Sequence, residues 1–230
     1  SDITHASFDI NDNNPTPVGK GNPGGLGVIE TALANADGNT YMAGPIYYYP
    51  FYGPLHMCNE AVILHGERFA RTLDTILAGG TPSHLRATGF SREGRVITIN
   101  CSVPTGPLTI DTHVVPAATG TVTPTGTGVP RYFVLGFEFV DSIGTKVESV
   151  STGYNTIQVT LNQIPSGTMT LRYAYNGLGN TNYTHPEIRR SDIQTHPSWG
   201  NIRDSYVQAS RFVTGFNMYN FLLPFEQAIT

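Results

Sequence analysis

Apolar and polar positions along the chain follow two different periods, and the change between them divides it. Val62, Gly66, Phe69, Leu73 and Ile76 step by four, three, four and three, which is helical spacing. Asn59 is a good N-cap, Glu60 suits the first turn, Glu67 and Arg71 form an i,i+4 pair, and Gly79-Gly80 supplies a stop. The pattern therefore predicts one long helix over 59–78. A shorter helix is predicted over 27–36, with Val28, Ile29, Ala32 and Leu33 on one face and Gly38 at its end. Between them, 41–45 reads as a short buried strand closed by Gly44-Pro45. Beyond residue 80 the period becomes two. Strands are predicted near 96–99, 107–115, 132–140, 146–150, 156–161 and 168–175, separated by Asn, Gly, Pro and Ser turns, a rhythm that suggests a β-sandwich. Two stretches, 116–130 and 176–200, show no such period and read as long polar loops. The last segment, 210–230, carries Phe212, Val213, Phe216, Met218, Tyr219, Phe221, Leu222, Leu223 and Phe225. So much apolar surface is expected to pack back on the domain or on a neighbouring subunit. Residues 1–25, rich in Asn, Pro, Gly and Asp, read as extended coil.

Composition sharpens this picture. Of 230 residues 39% are hydrophobic, enough for a core, and only 13% are charged. That charge content is about half the usual share, with Gly, Pro, Thr and Asn in its place, as in turn-rich β structure. A net charge of −4 with no basic cluster gives a nucleic-acid partner no electrostatic support. No apolar run approaches the roughly 20 residues of a membrane span, so no membrane insertion is expected, and no signal peptide is visible. The two cysteines, Cys58 and Cys101, are expected to be free and structural. The seven histidines lack metal-ligand spacing, so neither a metal site nor a cofactor is expected.

Residues 41–78 also contain an ordered set of motifs: Gly44-Pro45-Ile46-Tyr47, then Gly53-Pro54-Leu55-His56-Met57, then Asn59-Glu60 and a helix with Gly66-Glu67 in its middle. This order resembles the closing block of SGNH hydrolases, closest to esterase domains of phage tail fibres. There a histidine precedes the last helix. Residues 96–175 look like the β-sandwich that follows such a domain, and Gly200-Asn201-Ile202-Arg203-Asp204-Ser205 is similar to the motif that ends many such chains. The resemblance implies a mainly β fold, a C-terminal β-sandwich preceded by a partial α/β segment with one long helix. It divides the chain into 1–80, the end of an SGNH-like domain, and 81–230, an accessory carbohydrate-binding-like sandwich. It gives His56 the catalytic base role. The orienting aspartate would stand at Gly53, and no acidic residue lies between Tyr41 and Asn59. A backbone carbonyl orients the ring, or the dyad is incomplete, or the site is dead. No Gly-Asp-Ser nucleophile motif occurs in the chain. Ser205, after Arg203-Asp204 at the far end, is not a candidate. The simplest account is a fragment of a longer fibre protein, with the nucleophile in the part that precedes it.

Substrate-binding candidates are Tyr47, Tyr49 and Tyr52, with Tyr48 and Phe51 in the same aromatic loop, and Trp199 in a polar loop. The aromatic loop reads either as a stacking platform for sugar rings or as a packed contact, and Trp199 either as part of a binding surface or as a hydrophobic plug. His56 without a catalytic partner would be an ordinary loop histidine. His65, inside the helix, and the Asp111-Thr112-His113 run, on a predicted strand, read as structural. Arg203 and Asp204 are expected to form a buried or interfacial ion pair. Three functions compete: a receptor-binding tail-fibre domain for bacterial surface polysaccharide, a carbohydrate O-deacetylase or esterase, and a structural module that holds a homo-oligomer such as a trimer together. All three carry the expectation of a virion protein made in the host cytoplasm, and a homo-oligomer is expected, a trimer being possible.

Overall fold

The computed structural model describes residues 41–53, 56–123 and 130–230. The helix predicted over 27–36 lies outside the described residues. The protein is mainly β: among the described residues 42% are in strands and 10% helical. Every strand pairing among the described residues is antiparallel.

The sandwich is built from two sheets. The first has β3 (Arg86–Glu93), β4 (Val96–Ser102), β9 (Val147–Thr152) and β10 (Thr156–Leu161) in the order β3-β4-β10-β9. The second has β8 (Phe137–Val140), β11 (Met169–Tyr173) and β16 (Phe225–Ile229) in the order β16-β11-β8. Alternation decides which side chains enter the core. Ile97, Ile99 and Cys101 of β4 and Ile157, Val159 and Leu161 of β10 are buried while Asn100 and Gln158 are exposed. Phe137, Phe139, Leu171, Tyr173 and Ile229 are their buried counterparts in the second sheet. Phe90 of β3 meets Phe225 of β16 edge to face, with ring centroids 5.2 Å apart, and joins the two sheets at one edge.

Three smaller sheets flank this pair. One contains β1 (Phe51–Tyr52), β2 (His56–Met57), β12 (Asn182–His185) and β13 (Arg190–Gln194), ordered β12-β13-β1-β2. A second pairs β5 (Thr109–Ile110), β14 (Ile202–Ala209) and β15 (Asn217–Phe221). The third is a hairpin of β6 (Gly120–Val122) and β7 (Arg131–Phe133).

Several sequence expectations change here. The segment 176–200 is not a loop throughout, because β12 and β13 form a hairpin within it. The predicted loop 116–130 likewise contains β6, Gly120–Val122, which pairs with β7 just after it. Residues 41–45 form no strand. The strand predicted over 132–140 is two, since Leu135 and Gly136 sit at φ +56° and +89° and break it. The strand predicted over 107–115 shrinks to Thr109–Ile110, and Asp111 lies just past it. The aromatic C-terminal segment does pack back on the domain: Phe216, Met218, Phe221 and Leu222 are all nearly fully buried in the core.

Helix α1 spans Asn59–Leu77. Its N-cap is Cys58 rather than Asn59, without a side-chain cap bond. Its end is a Schellman motif: Gly79, at φ +76°, donates its N–H to Ile76, and Gly80 donates to Thr75, each at 2.9 Å. The helix reverses the expected orientation. The buried positions are Ala61, Leu64 and Glu67. Glu67 accepts from Ser210 Oγ at 2.7 Å and from the Arg211 N–H at 3.1 Å, and pairs with Arg71 at 3.1 Å. Arg68 donates to the carbonyls of Ala43 at 2.6 Å and Tyr219 at 2.5 Å and to Asn220 Oδ1 at 3.0 Å. The apolar stripe faces away: Val62, Phe69, Leu73 and Leu77 are 53%, 47%, 53% and 75% exposed. Alongside Ala61 and Leu64, the inward side of α1 therefore carries Glu67 and the part-buried Arg68, satisfied by groups of the β14–β15 sheet and of the 41–45 segment, while the apolar stripe is left bare.

The motif 200–205 ties the flanking sheets to the sandwich. A Cβ on Gly200 would lie 2.3 Å from the ring and hydroxyl of Tyr173, and one on Gly136 would lie 2.6 Å from Gly200 Cα. Tyr173 cannot retreat, because it is fully buried and its hydroxyl accepts the Ile202 N–H at 2.9 Å and lies 3.2 Å from Tyr47 Oη. Gly200→Ala is expected to destabilise the protein by about 1–3 kcal/mol through overpacking. A thermal melt reads this as a loss of about 2–4 °C per kcal/mol for a chain of this size. An unchanged midpoint would mean that Tyr173 has room to move.

Candidate functional site

His56 lies on β2, exposed, opposite Tyr52 in the β1–β2 hairpin. The other edge of β1 is held by β13 through Phe51 and Gln194. Below the hairpin, Phe51 is buried and packs edge to face on His196 with centroids 5.1 Å apart. Arg190 of β13 then ties the hairpin to the start of α1. Its guanidinium lies over the Tyr52 ring at 4.9 Å, donates to both oxygens of Glu60 at 3.0 and 3.1 Å, and donates to Asp192 at 2.9 Å. Burial pushes the Glu60 carboxyl up, but its own backbone N–H and Arg190 outweigh that and hold it below the usual range. The result is an imidazole presented at the surface, two residues before the N-cap of α1, on a hairpin fixed from two sides.

No described carboxylate hydrogen-bonds His56. Gly53, where the resemblance implies an aspartate, is at φ +63°, and a Cβ built there meets nothing within 4 Å. Cys58, close by in sequence, is no alternative nucleophile. Burial pushes its thiol up to about 11, so the thiolate is scarce at neutral pH. Cys101 is pushed up to about 12, also by burial, and both cysteines are free.

The aromatic candidates separate. Tyr47 and Tyr49 are core residues, 3% and 0% exposed. Tyr47 donates its hydroxyl to the Leu222 carbonyl at 2.6 Å, and Tyr48 stacks on Phe221 at 4.6 Å between centroids. Their ring faces are spent on the sandwich, and so the aromatic loop is a packed contact at these positions. Trp199 is 4% exposed and donates its indole N–H to the Pro116 carbonyl at 2.9 Å, which makes it a plug under the 116–123 segment. Tyr52 alone of the four is part-exposed, beside His56.

Arg203 and Asp204 do not pair through their side chains. Arg203 binds Asp111 at 2.5 Å, and Asp204 instead accepts the N–H groups of Thr105 at 3.0 Å and Tyr206 at 2.8 Å. Successive residues on a strand point to opposite faces, and this separates the two side chains. A groove of about 250 Å³ behind α1, lined by Arg68, Arg71, His84, Tyr206 and Asn220, has its arginines already engaged by carbonyls and side chains. His84 is lowered to about 4, first by burial and then by Arg68, so it stays neutral. Among the described residues no group of three or more His, Cys, Asp or Glu side chains could hold a metal ion.

No protein-family model matches the chain, and no curated protein does. A solved structure of a carbohydrate acetylesterase from Xanthomonas citri is similar at 14% sequence identity and a TM-score of 0.40, over 76% of this chain and 30% of that one. A likeness of that size carries no argument about activity. The chain spans 30% of the length of the structure it matches.

Proposed function

We propose that this chain is the distal, polysaccharide-binding part of a phage tail-fibre or tailspike protein, and that it supplies His56 to an SGNH-type carbohydrate esterase site whose serine lies on a further α/β domain. The observation that supports this reading is the reversed polarity of α1, immediately after His56. A helix that buries Glu67 and bares Val62, Phe69, Leu73 and Leu77 suits the boundary of a layer that continues beyond it. An α/β domain packed on that face would bring its own sheet edge alongside the exposed imidazole. Acyl transfer needs such a neighbour, because a base without a nucleophile and oxyanion donors has nothing to act on.

The competing reading is a structural module in which the same apolar face meets a second copy of the chain. Two measurements separate them. The 230-residue chain is expected to leave p-nitrophenyl acetate and acetylated polysaccharide at background. A longer protein carrying the preceding α/β domain is expected to release acetate from the polysaccharide. A stable trimer of the short chain, together with no hydrolysis by the longer one, would select the structural module instead.

A further inference from the structure

The outer face of the β16-β11-β8 sheet carries a feature that sandwich packing does not explain. Phe137 and Phe139 of β8 point into the core, so Glu138 between them points out. Yet Glu138 is only 3% exposed. It sits at the base of a cleft of about 300 Å³ lined also by Arg131, Tyr132, Asp141, Thr145 and Arg172. Asn176 donates to its carboxylate. Arg131 and Arg172 flank it at 3.6 and 3.9 Å, too long for direct hydrogen bonds. Arg172 stands opposite both Glu138 and Glu226 in the strand register and makes its short contact, 2.5 Å, with Glu226.

These charges balance. Arg131 and Arg172 meet Glu138 and Asp141 in the lining, and just outside it Lys146, 3.6 Å from the Tyr132 ring centroid, is matched by Glu226. A balanced cleft has no net pull on an ion. What it offers is a carboxylate acceptor beside two guanidinium groups that do not reach it within hydrogen-bond distance, Arg172 being bonded through Nε to Glu226 and lying over the Tyr175 ring at 4.7 Å, next to Tyr132. That set suits vicinal hydroxyl groups, each able to donate to one partner and accept from the other. Asp141 plays a different part: it accepts the N–H groups of Ile143 at 3.1 Å and Thr145 at 2.9 Å and so fixes the cleft wall. Keeping a carboxylate buried away from the core is expensive, and apolar replacements would serve stability as well. The volume is at the small end of ligand clefts, which run from about 300 to 1,000 Å³.

We propose that this cleft is a binding site for a neutral sugar residue, with Glu138 accepting from ring hydroxyls, Arg131 and Arg172 donating to them, and Tyr132 forming a wall. The choice of a sugar among neutral polyols rests on the proposed function; the location does not, and the site is separate from His56. The test is amide NMR of the isotope-labelled chain titrated with glucose, galactose, mannose and N-acetylglucosamine, and with glucuronate as the charged comparison. At least one neutral sugar is expected to shift Tyr132, Phe139 and Thr145 saturably with a Kd in the millimolar range. Arg131→Ala, at a part-exposed edge position, is expected to weaken that binding about fivefold, one hydrogen bond's worth, with the remaining spectrum unchanged. Glu138→Gln is the second variant, with the same weakening expected. The proposal is overturned if no neutral sugar moves those signals, if both variants bind as well as the parent, or if glucuronate binds more tightly than every neutral sugar. Hydrolysis by the longer protein with an empty cleft would remove this proposal and leave the one for His56 standing.

Discussion

Asp111→Ala is expected to destabilise the protein by about 3–5 kcal/mol at neutral pH, the loss typical of breaking a buried ion pair from one side. Asp111 is 5% exposed, and each of its oxygens has a separate task. Oδ1 accepts the N–H groups of His113 at 2.8 Å and Val114 at 2.9 Å and so closes the turn after β5. Oδ2 binds Arg203 at 2.5 Å. Its backbone adds two more ties to Asn201, at 2.7 and 2.8 Å, and Asn201 in turn accepts the Ala118 N–H at 2.7 Å. Removing the carboxylate leaves two N–H groups and a guanidinium without their partner. The guanidinium would keep its place over the Tyr219 ring, 4.9 Å from the centroid. The pH dependence has a definite sign. Burial pushes the Asp111 carboxyl up, but the Val114 N–H, Arg203 and the His113 N–H together hold it below the ordinary range. A carboxyl lowered in the folded state contributes stability that is complete above its unfolded value of about 3.9 and is lost as pH falls through the folded value. The gap between parent and Asp111→Ala should therefore be full at pH 7 and narrow below about pH 4. Urea denaturation at both pH values measures it. Asp111→Asn keeps the oxygen for the two N–H groups and should lose less. A gap under 1 kcal/mol at pH 7 would remove Asp111 from the framework.

That one residue illustrates what could be read in the chain and what could not. β10 was legible because Thr156–Leu161 alternates cleanly and buries Ile157, Val159 and Leu161. The extent of α1 was legible because its stop is chemical, a pair of glycines. Its orientation was not. Periodicity finds a stripe of apolar positions and assigns it to the core, whereas here backbone carbonyls of Ala43 and Tyr219 compensate the part-buried charge of Arg68. β12 and β13 were illegible for a related reason. Only His185 of β12 and Ile193 of β13 are buried, and backbone pairing to Phe51 rather than an apolar face holds the sheet together. Asp111 read as structural, and so it is, but what it holds was not legible because its partners are 2, 3 and 92 positions away. Among candidate site residues, His56 was found in an exposed position, and Tyr52 beside it. For Tyr47, Tyr49 and Trp199 the sequence left a binding surface and a packed contact both open, because an aromatic ring in a loop carries no mark of whether its face is free, and their burial selects the packed contact. Glu138 did leave a signal: a lone carboxylate between two phenylalanines in a short strand, the place where a polar residue must face outward and find something to bind.

Replacing His56 is expected to have the largest effect on activity and almost none on folding. In a longer protein that carries the proposed preceding domain, His56→Ala should reduce acetate release from acetylated polysaccharide by about 10²–10⁴-fold, the usual contribution of a general base. The side chain is exposed and makes no hydrogen bond to a described residue, so stability should stay within about 0.5 kcal/mol of the parent. That separation of activity from stability matters, since a merely structural histidine would move both or neither. The reaction also needs the ring oriented, and Gly53 is the position to probe. It sits in the left-handed region, which aspartate tolerates better than most residues, and a Cβ there meets nothing within 4 Å. Gly53→Asp is expected to fold and to raise hydrolysis by the longer protein, because a carboxylate three residues before His56 would hold the imidazole tautomer that accepts a proton at the far nitrogen. If His56→Ala hydrolyses as fast as the parent, the histidine is an ordinary surface residue. The bare face of α1 would then need a partner other than a catalytic domain.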